Sequence, residues 1–210
     1  MKTVLSSLWV FEGINGCGKS TLLSELTTTA RAAGKTVRVY RDPGSCPLGE
    51  RLRTIIKNGE TPVCGGAQLL LFTAGRVELA NQIIEDHKRE PVDYIFLDRW
   101  VYSTLAYQVA HGSNPVEVTD LHERYVPLRV EAGHAILLDI PVAVSRQRTA
   151  QAAGQQDVAK DRFEAAGDPY LEKVRNRYLA QAHDGSLKAF DATMARLDVF
   201  AKVAHYMGLR

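Results

Sequence analysis

The sequence predicts an α/β protein, a three-layer α/β/α fold around a five-stranded parallel sheet, and three observations predict it. Five short apolar or β-branched runs, at 8–11, 37–40, 94–97, 135–138 and 187–190, alternate with longer segments of helical period. Such alternation belongs to parallel strands joined by crossover helices and covered on both faces. The first run leads into Gly13-Ile-Asn-Gly-Cys-Gly-Lys-Ser20, which matches G-x-x-x-x-G-K-[ST], the loop that carries a strand into a helix around bound phosphate. Finally, 210 residues with 45% apolar and 24% charged side chains suit one well-buried core, so a single domain over 1–210 is expected and disordered or fibrous classes are excluded.

Each element follows from local signals. The first helix is expected over 19–33, with Leu22, Leu23, Leu26 and Ala30 on one stripe and Gly34 as its stop. A second spans about 48–58, carries Leu52, Ile55 and Ile56, and ends at Gly59. The third is longer, 67–90, with Leu70, Ala74, Val77 and Ile84 marking its length and Pro91 its end. Beyond the third strand come a helix at 103–110, the turn His111-Gly-Ser-Asn-Pro115, and a helix at 116–125 closed near Pro127. A helix follows Pro141, and Asp168-Pro169 reads as a cap with proline at the first helical position, opening a helix through Leu171, Val174 and Tyr178. Between these two lies Ala150-Gln-Ala-Ala-Gly-Gln-Gln-Asp157, small and polar, flanked by Arg146 and Arg148 on one side and Lys160, Arg162 and Glu164 on the other. It reads as a mobile basic flap, a lid over 146–164.

The glycine-rich loop carries the chemistry. Backbone N–H groups can surround a polyphosphate only where side chains do not block the approach, which Gly13, Gly16 and Gly18 permit. The whole run of Gly13, Ile14, Asn15, Gly16, Cys17, Gly18, Lys19, Ser20 and Thr21 is therefore the expected nucleotide phosphate site, with Lys19 reaching the β/γ-phosphates and Ser20 holding Mg²⁺. This makes the fold the P-loop NTPase type. A formal charge of +2, from 26 basic and 24 acidic residues, argues against a nucleic-acid-binding face. No apolar run approaches the roughly 18 residues of a membrane span, and no signal-peptide core is present, so a cytoplasmic location without membrane contact is expected. Cys17, Cys46 and Cys64 have neither zinc nor disulfide spacing.

Six ordered segments resemble the thymidylate kinase family, ATP-dependent kinases of dTMP. They are Phe11-Glu-Gly-Ile-Asn-Gly-Cys-Gly-Lys-Ser-Thr21, Arg41-Asp-Pro-Gly44, Leu70-Leu-Phe-Thr-Ala-Gly-Arg76, Asp98-Arg-Trp-Val-Tyr-Ser-Thr-Leu-Ala-Tyr-Gln108, Leu138-Asp139 and Asp161-Arg-Phe-Glu164, and they span nearly the whole chain. The resemblance implies ATP as donor, dTMP as acceptor, Mg²⁺ as cofactor and a homodimer packed through long helices. It implies that Arg41 and Arg99 grip the acceptor phosphate and that Phe72 and Arg76, four apart on one helix face, meet the thymine. Thr104 and Gln108 become base contacts beside Ser103, Tyr107 crowds the 2′ position, and Asp98 orients Arg99 or contacts Mg²⁺ through water. In this family the catalytic arginine comes from the loop or from the lid; Gly16 stands at the loop position, so the duty falls to Arg148 or Arg162, beside Lys19 and Arg99. Asn15 replaces the usual acidic residue near the sugar, where Asp42 or Glu12 could supply the charge. Ser45, Trp100 and Asp42 also depart from the common pattern around the acceptor. A kinase of another 5-substituted deoxyuridylate such as 5-hydroxymethyl-dUMP, a deoxynucleoside kinase, and a non-catalytic nucleotide-binding regulator are the competing readings.

Overall fold

The computed structural model describes residues 2–57, 63–153 and 167–209. A short strand β1 (Thr3–Val4) pairs in parallel with β5 (Leu128–Arg129) in a small sheet of its own. The main sheet has five parallel strands, β2 (Leu8–Glu12), β3 (Val37–Arg41), β4 (Tyr94–Asp98), β6 (Ala135–Asp139) and β7 (Lys188–Asp191), in the order β3-β4-β2-β6-β7. The five expected strands are those five. All residues of β2 are buried, the apolar run 8–11 as a central parallel strand requires, and Glu12 at its end with them.

Helix α1 (Lys19–Ala32) buries Leu22, Leu23, Leu26 and Ala30 as its period predicts, and Gly34 follows at φ 76°. In α2 (Pro47–Lys57) Leu52 and Ile56 turn inward while Ile55 is 44% exposed; the expected stop at Gly59 lies outside the described residues. The long helix α3 (Gly65–Arg89) buries Leu69, Phe72, Arg76, Leu79, Ala80 and Ile83, an i, i+3, i+4 stripe that leaves Leu70 59% exposed. Next come α4 (Val101–Ala110) and α5 (Pro115–Tyr125), the latter capped by Asn114, whose Oδ1 accepts from the Val116 amide at 2.9 Å.

Two expectations in the last third need correction. Helix α6 (Val142–Ala153) continues through 150–153, so the first part of the expected flap is helical, and 154–166 fall outside the described residues. Helix α7 (Asp168–His183) is capped by Gly167 at φ 85°; Asp168 lies inside the first turn, where its carboxylate meets Arg146 Nε at 2.6 Å. The sequence reading also passed over α8 (Arg196–Tyr206), which buries Val199, Val203 and Ala204 and packs on α1.

Handedness assigns the layers. The β2–α1–β3 crossover runs toward one edge of the sheet, whereas β3–β4, β4–β6 and β6–β7 run back toward the other. With right-handed crossovers, α1 and α8 cover one face and α3, α4 and α7 the other. The change of direction at β2 and β4 opens a crevice at their carboxyl ends, where open sheets bind ligands. Among the described residues, no helix is long and apolar enough to cross a membrane.

His122 on α5 is buried, its ring edge-to-face with Trp100 at 6.0 Å between centroids. Burial, helped by Arg76 and Lys2, pushes the imidazole down to about 3, so it folds in neutral. The unfolded chain takes up this proton near pH 6.5 and the folded chain does not. Stability from this group is therefore whole above pH 6.5 and falls toward pH 3 with a limiting slope of about 1.4 kcal/mol per pH unit. Urea unfolding between pH 7 and 5 is expected to show a loss in the wild type that a His122→Gln variant lacks.

Candidate active site

The loop from Gly13 to Gly18 leaves β2 and turns into α1. Gly13 holds φ 139°, and a Cβ there would stand 2.5 Å from the Leu138 carbonyl oxygen, so only glycine fits between loop and sheet. Gly16, at φ 73°, allows another close approach: a Cβ would lie 3.0 Å from Ser145 O and 3.2 Å from Thr149 Cγ2 on α6. Ser145 Oγ donates to the Asn15 carbonyl at 2.8 Å, and Arg148 Nη1 reaches Gly16 O at 3.5 Å and Ala192 O at 3.0 Å. Thus α6 rests directly on the phosphate loop. Lys19 is buried, and its ammonium donates to Gly13 O at 2.8 Å and lies 3.5 Å from Cys17 Sγ. Ile14 is in the core, so Ile14 and Gly13 back the loop while Asn15 through Thr21 line the crevice.

Arg99 follows β4 with φ 72°, a left-handed backbone that a residue with a Cβ adopts at a cost. Its neighbours explain how it is held. The Trp100 and Ser103 amides donate to Glu12 Oε1 at 2.7 and 3.2 Å, so a carboxylate from the end of β2 caps α4, whose own N-cap residue supplies no side-chain bond. Glu12 Oε2 accepts from Ser103 Oγ at 2.6 Å and from Tyr178 OH at 2.8 Å. The same two hydroxyls accept from Arg99 Nη1 at 3.1 and 3.2 Å, and Arg99 Nη2 donates to Asn15 Oδ1 at 2.8 Å. Carboxylate and guanidinium are therefore an ion pair bridged by two hydroxyls. Burial pushes the Glu12 carboxyl up, and Arg99 is the largest influence opposing it.

A cavity of about 700 Å³ joins both sides of the loop. Toward the β3 end it is lined by Arg41, Phe72, Arg76, Arg99, Ser103, Thr104, Tyr107 and Gln108, every acceptor-side residue expected from the sequence beyond Asn15 itself. Arg76 is 2% exposed; its Nε meets Asp42 Oδ2 at 2.6 Å, its Nη2 donates to Thr104 Oγ1 at 2.8 Å, and it lies 5.5 Å from the Trp100 ring centroid. Asp42 pairs with Arg76, and Glu12 bonds to the start of α4 and to the two hydroxyls that carry its charge to Arg99. Phe72 packs with Leu52 and Ile56 in a small cluster of its own. Arg41 turns to Glu50 at 3.0 Å, and the Ser45 amide, followed by Arg41, holds the Glu50 carboxyl below the usual range. Arg53, which no motif signalled, also lines the cavity and donates to Pro43 O at 3.0 Å.

The other end of the cavity is lined by Ser20, Thr21, Arg148, Thr149, Met194 and Val199. Met194 and Val199 come from the C-terminal segment, which carried no sequence motif. Arg162 lies outside the described residues. For Mg²⁺ the chain offers the exposed Ser20 and Asp98, whose buried Oδ1 has no hydrogen-bond partner; hard oxygen donors of this kind suit the ion alongside phosphate oxygens. Among the described residues no cluster of three or more His, Cys, Asp or Glu could hold a metal by itself.

Known proteins resemble this chain over nearly its whole length. The family model described as thymidylate kinase matches residues 11–203. A thymidylate kinase of Thermosipho africanus is 32% identical over 195 residues, 92% of this chain and 93% of that protein. One from Nitrosomonas eutropha is 32% identical with 91% of each chain covered, and one from Citrifermentans bemidjiense is 35% identical over 82% of this chain and 77% of its own.

The Arg76–Asp42 pair yields a stability test. Arg76→Ala leaves a buried carboxylate without its partner, and a loss of about 3–5 kcal/mol in urea unfolding is expected. Combining Arg76→Met with Asp42→Asn removes both charges, and most of that loss is expected to be recovered.

Proposed function

This chain belongs to the thymidylate kinase family, and on that premise we propose that it transfers the γ-phosphoryl group of ATP to the phosphate of dTMP, giving ADP and dTDP. One observation carries the reading: a single cavity holds the P-loop and Lys19 toward one end and four further arginines, Arg41, Arg53, Arg76 and Arg99, toward the other. A site with cations on both sides of a phosphate loop suits two anionic substrates brought end to end.

In this mechanism the loop amides from Gly13 to Thr21 cradle the ATP phosphates, and Lys19 exchanges the Gly13 carbonyl for the β/γ-phosphate oxygens. Ser20 and, through water, Asp98 would hold Mg²⁺, which when bound neutralises charge on the β- and γ-phosphates. Arg99 aims the acceptor phosphate at the γ-phosphoryl group, with Arg41 and Arg53 beside it. Phe72 stacks on the base, while Arg76, Thr104 and Gln108 read its polar edge. Tyr107 crowds the 2′ position and Asn15, with Ser103, borders the sugar. The attacking oxygen is already ionised, so no general base is required, and positioning with charge stabilisation does the work. Arg148, on the helix that touches Gly16, supplies cationic charge to the transferring group.

A homodimer packed through α3 fits the exposed Leu70 on that helix, and the cytoplasm fits the substrates.

Steady-state rates with dTMP, dUMP, dCMP and 5-hydroxymethyl-dUMP, each with ATP and GTP, test the assignment. ATP with dTMP is expected to give the highest kcat/KM; dTMP performing no better than dUMP or dCMP defeats it. Lys19→Ala is expected to abolish turnover while the circular dichroism spectrum is retained. Arg148→Ala is expected to lower kcat by about 100-fold or more with the KM for dTMP little changed.

A further inference from the structure

Tyr178 belongs to α7, carries no motif, and looks from sequence like an ordinary core position. Its ring does pack edge-on against Tyr107, 6.2 Å between centroids at 81°. Its hydroxyl, however, is at the centre of the polar network: 2.8 Å from Glu12 Oε2, 2.8 Å from Ser103 Oγ and 3.2 Å from Arg99 Nη1, in a side chain 1% exposed. A hydroxyl has one proton and two lone pairs. Donation to Glu12 leaves the lone pairs for Arg99, so the phenol passes the hold of a buried carboxylate on to the guanidinium.

We infer that Tyr178 is a positioning residue for the acceptor phosphate, acting through Arg99; the inference rests on the dTMP kinase reading above. Arg99 is held on three sides, by the two hydroxyls at Nη1, by Asn15 at Nη2, and by the Tyr107 ring 5.3 Å from its Cζ. Ser103 and Asn15 both sit on elements next to Arg99 or the loop. Tyr178 alone among these hydrogen-bond partners arrives from α7, so it ties the direction of the guanidinium to the seat of that helix. Loss of the hydroxyl leaves one bridge between Nη1 and Glu12, and a guanidinium able to pivot about the Asn15 contact.

The test compares dTMP with thymidine, which has the same base and sugar and no phosphate for Arg99 to grip. Binding of each to wild type and Tyr178→Phe is measured by calorimetry, with the KM for ATP and the melting temperature alongside. A weakening of dTMP by about ten-fold, with thymidine binding unchanged and the KM for ATP within about two-fold, is the expected result. Equal weakening of dTMP and thymidine makes Tyr178 a packing residue and overturns the proposal, as does unchanged dTMP binding or a variant that does not fold. If wild type binds dTMP no more tightly than thymidine, the dTMP kinase reading itself fails before any variant is compared.

Discussion

The acceptor side of this molecule depends on one buried carboxylate. Glu12 ends the central strand at 0% exposure, and placing a charge there costs several kcal/mol unless it is bonded and balanced. Its two oxygens accept two backbone amides and two hydroxyls, and Arg99 lies across those hydroxyls. Every one of these partners comes from another element. The cost of the charge is thus offset only when β2, the start of α4 and the middle of α7 are all seated, and that same condition aims Arg99. Folding and the geometry of the site are here one requirement.

The phosphate loop extends this arrangement to the donor side. Asn15 gives its side-chain oxygen to Arg99 and its backbone oxygen to Ser145 on α6. Gly16, without a Cβ, lets α6 come close enough for Arg148 to reach its carbonyl. A side chain at position 16 would push that helix away, so the absence of an arginine in the loop and the closeness of an arginine on α6 are two sides of one packing choice. Because Asn15 is neutral, the charge of Arg99 is balanced through Ser103 and Tyr178 by Glu12, at one remove. An acid at position 15 would pair with the guanidinium directly and compete with an incoming phosphate for it.

Short-range signals made much of this legible from sequence. The five strands, the P-loop and the stripe of α1 depend on spacings of two to eight residues, and the sequence spells these out. The face of α3 did not follow, because Leu69, Leu70 and Leu71 are consecutive and period alone does not say which turns inward. Burial of Arg76 decides it, and its partner Asp42 lies 34 residues away. Glu12 as the cap of α4 is a contact across 88 and 91 residues, and Tyr178 reaches Glu12 across 166. Arg53 belongs to no motif, and α8 had no cap or motif to announce it. What the sequence withheld was the set of partners that only the sheet topology brings together.

The Arg76–Asp42 pair shows why such long-range partners are worth their cost. A buried ion pair is weak evidence for stability, since two apolar residues could fill the same space at no loss. An exposed arginine would serve the acceptor poorly, though, because it would surrender rotamer freedom each time the substrate bound. Fixed by Asp42, Thr104 and the face of Trp100, Arg76 has given up that freedom on folding. Arg99 follows the same logic with Glu12. On the acceptor assignment proposed above, Arg76 and Arg99 are therefore set in place before the substrate arrives, and the conformational cost of ordering them falls on the fold instead of on each encounter with it.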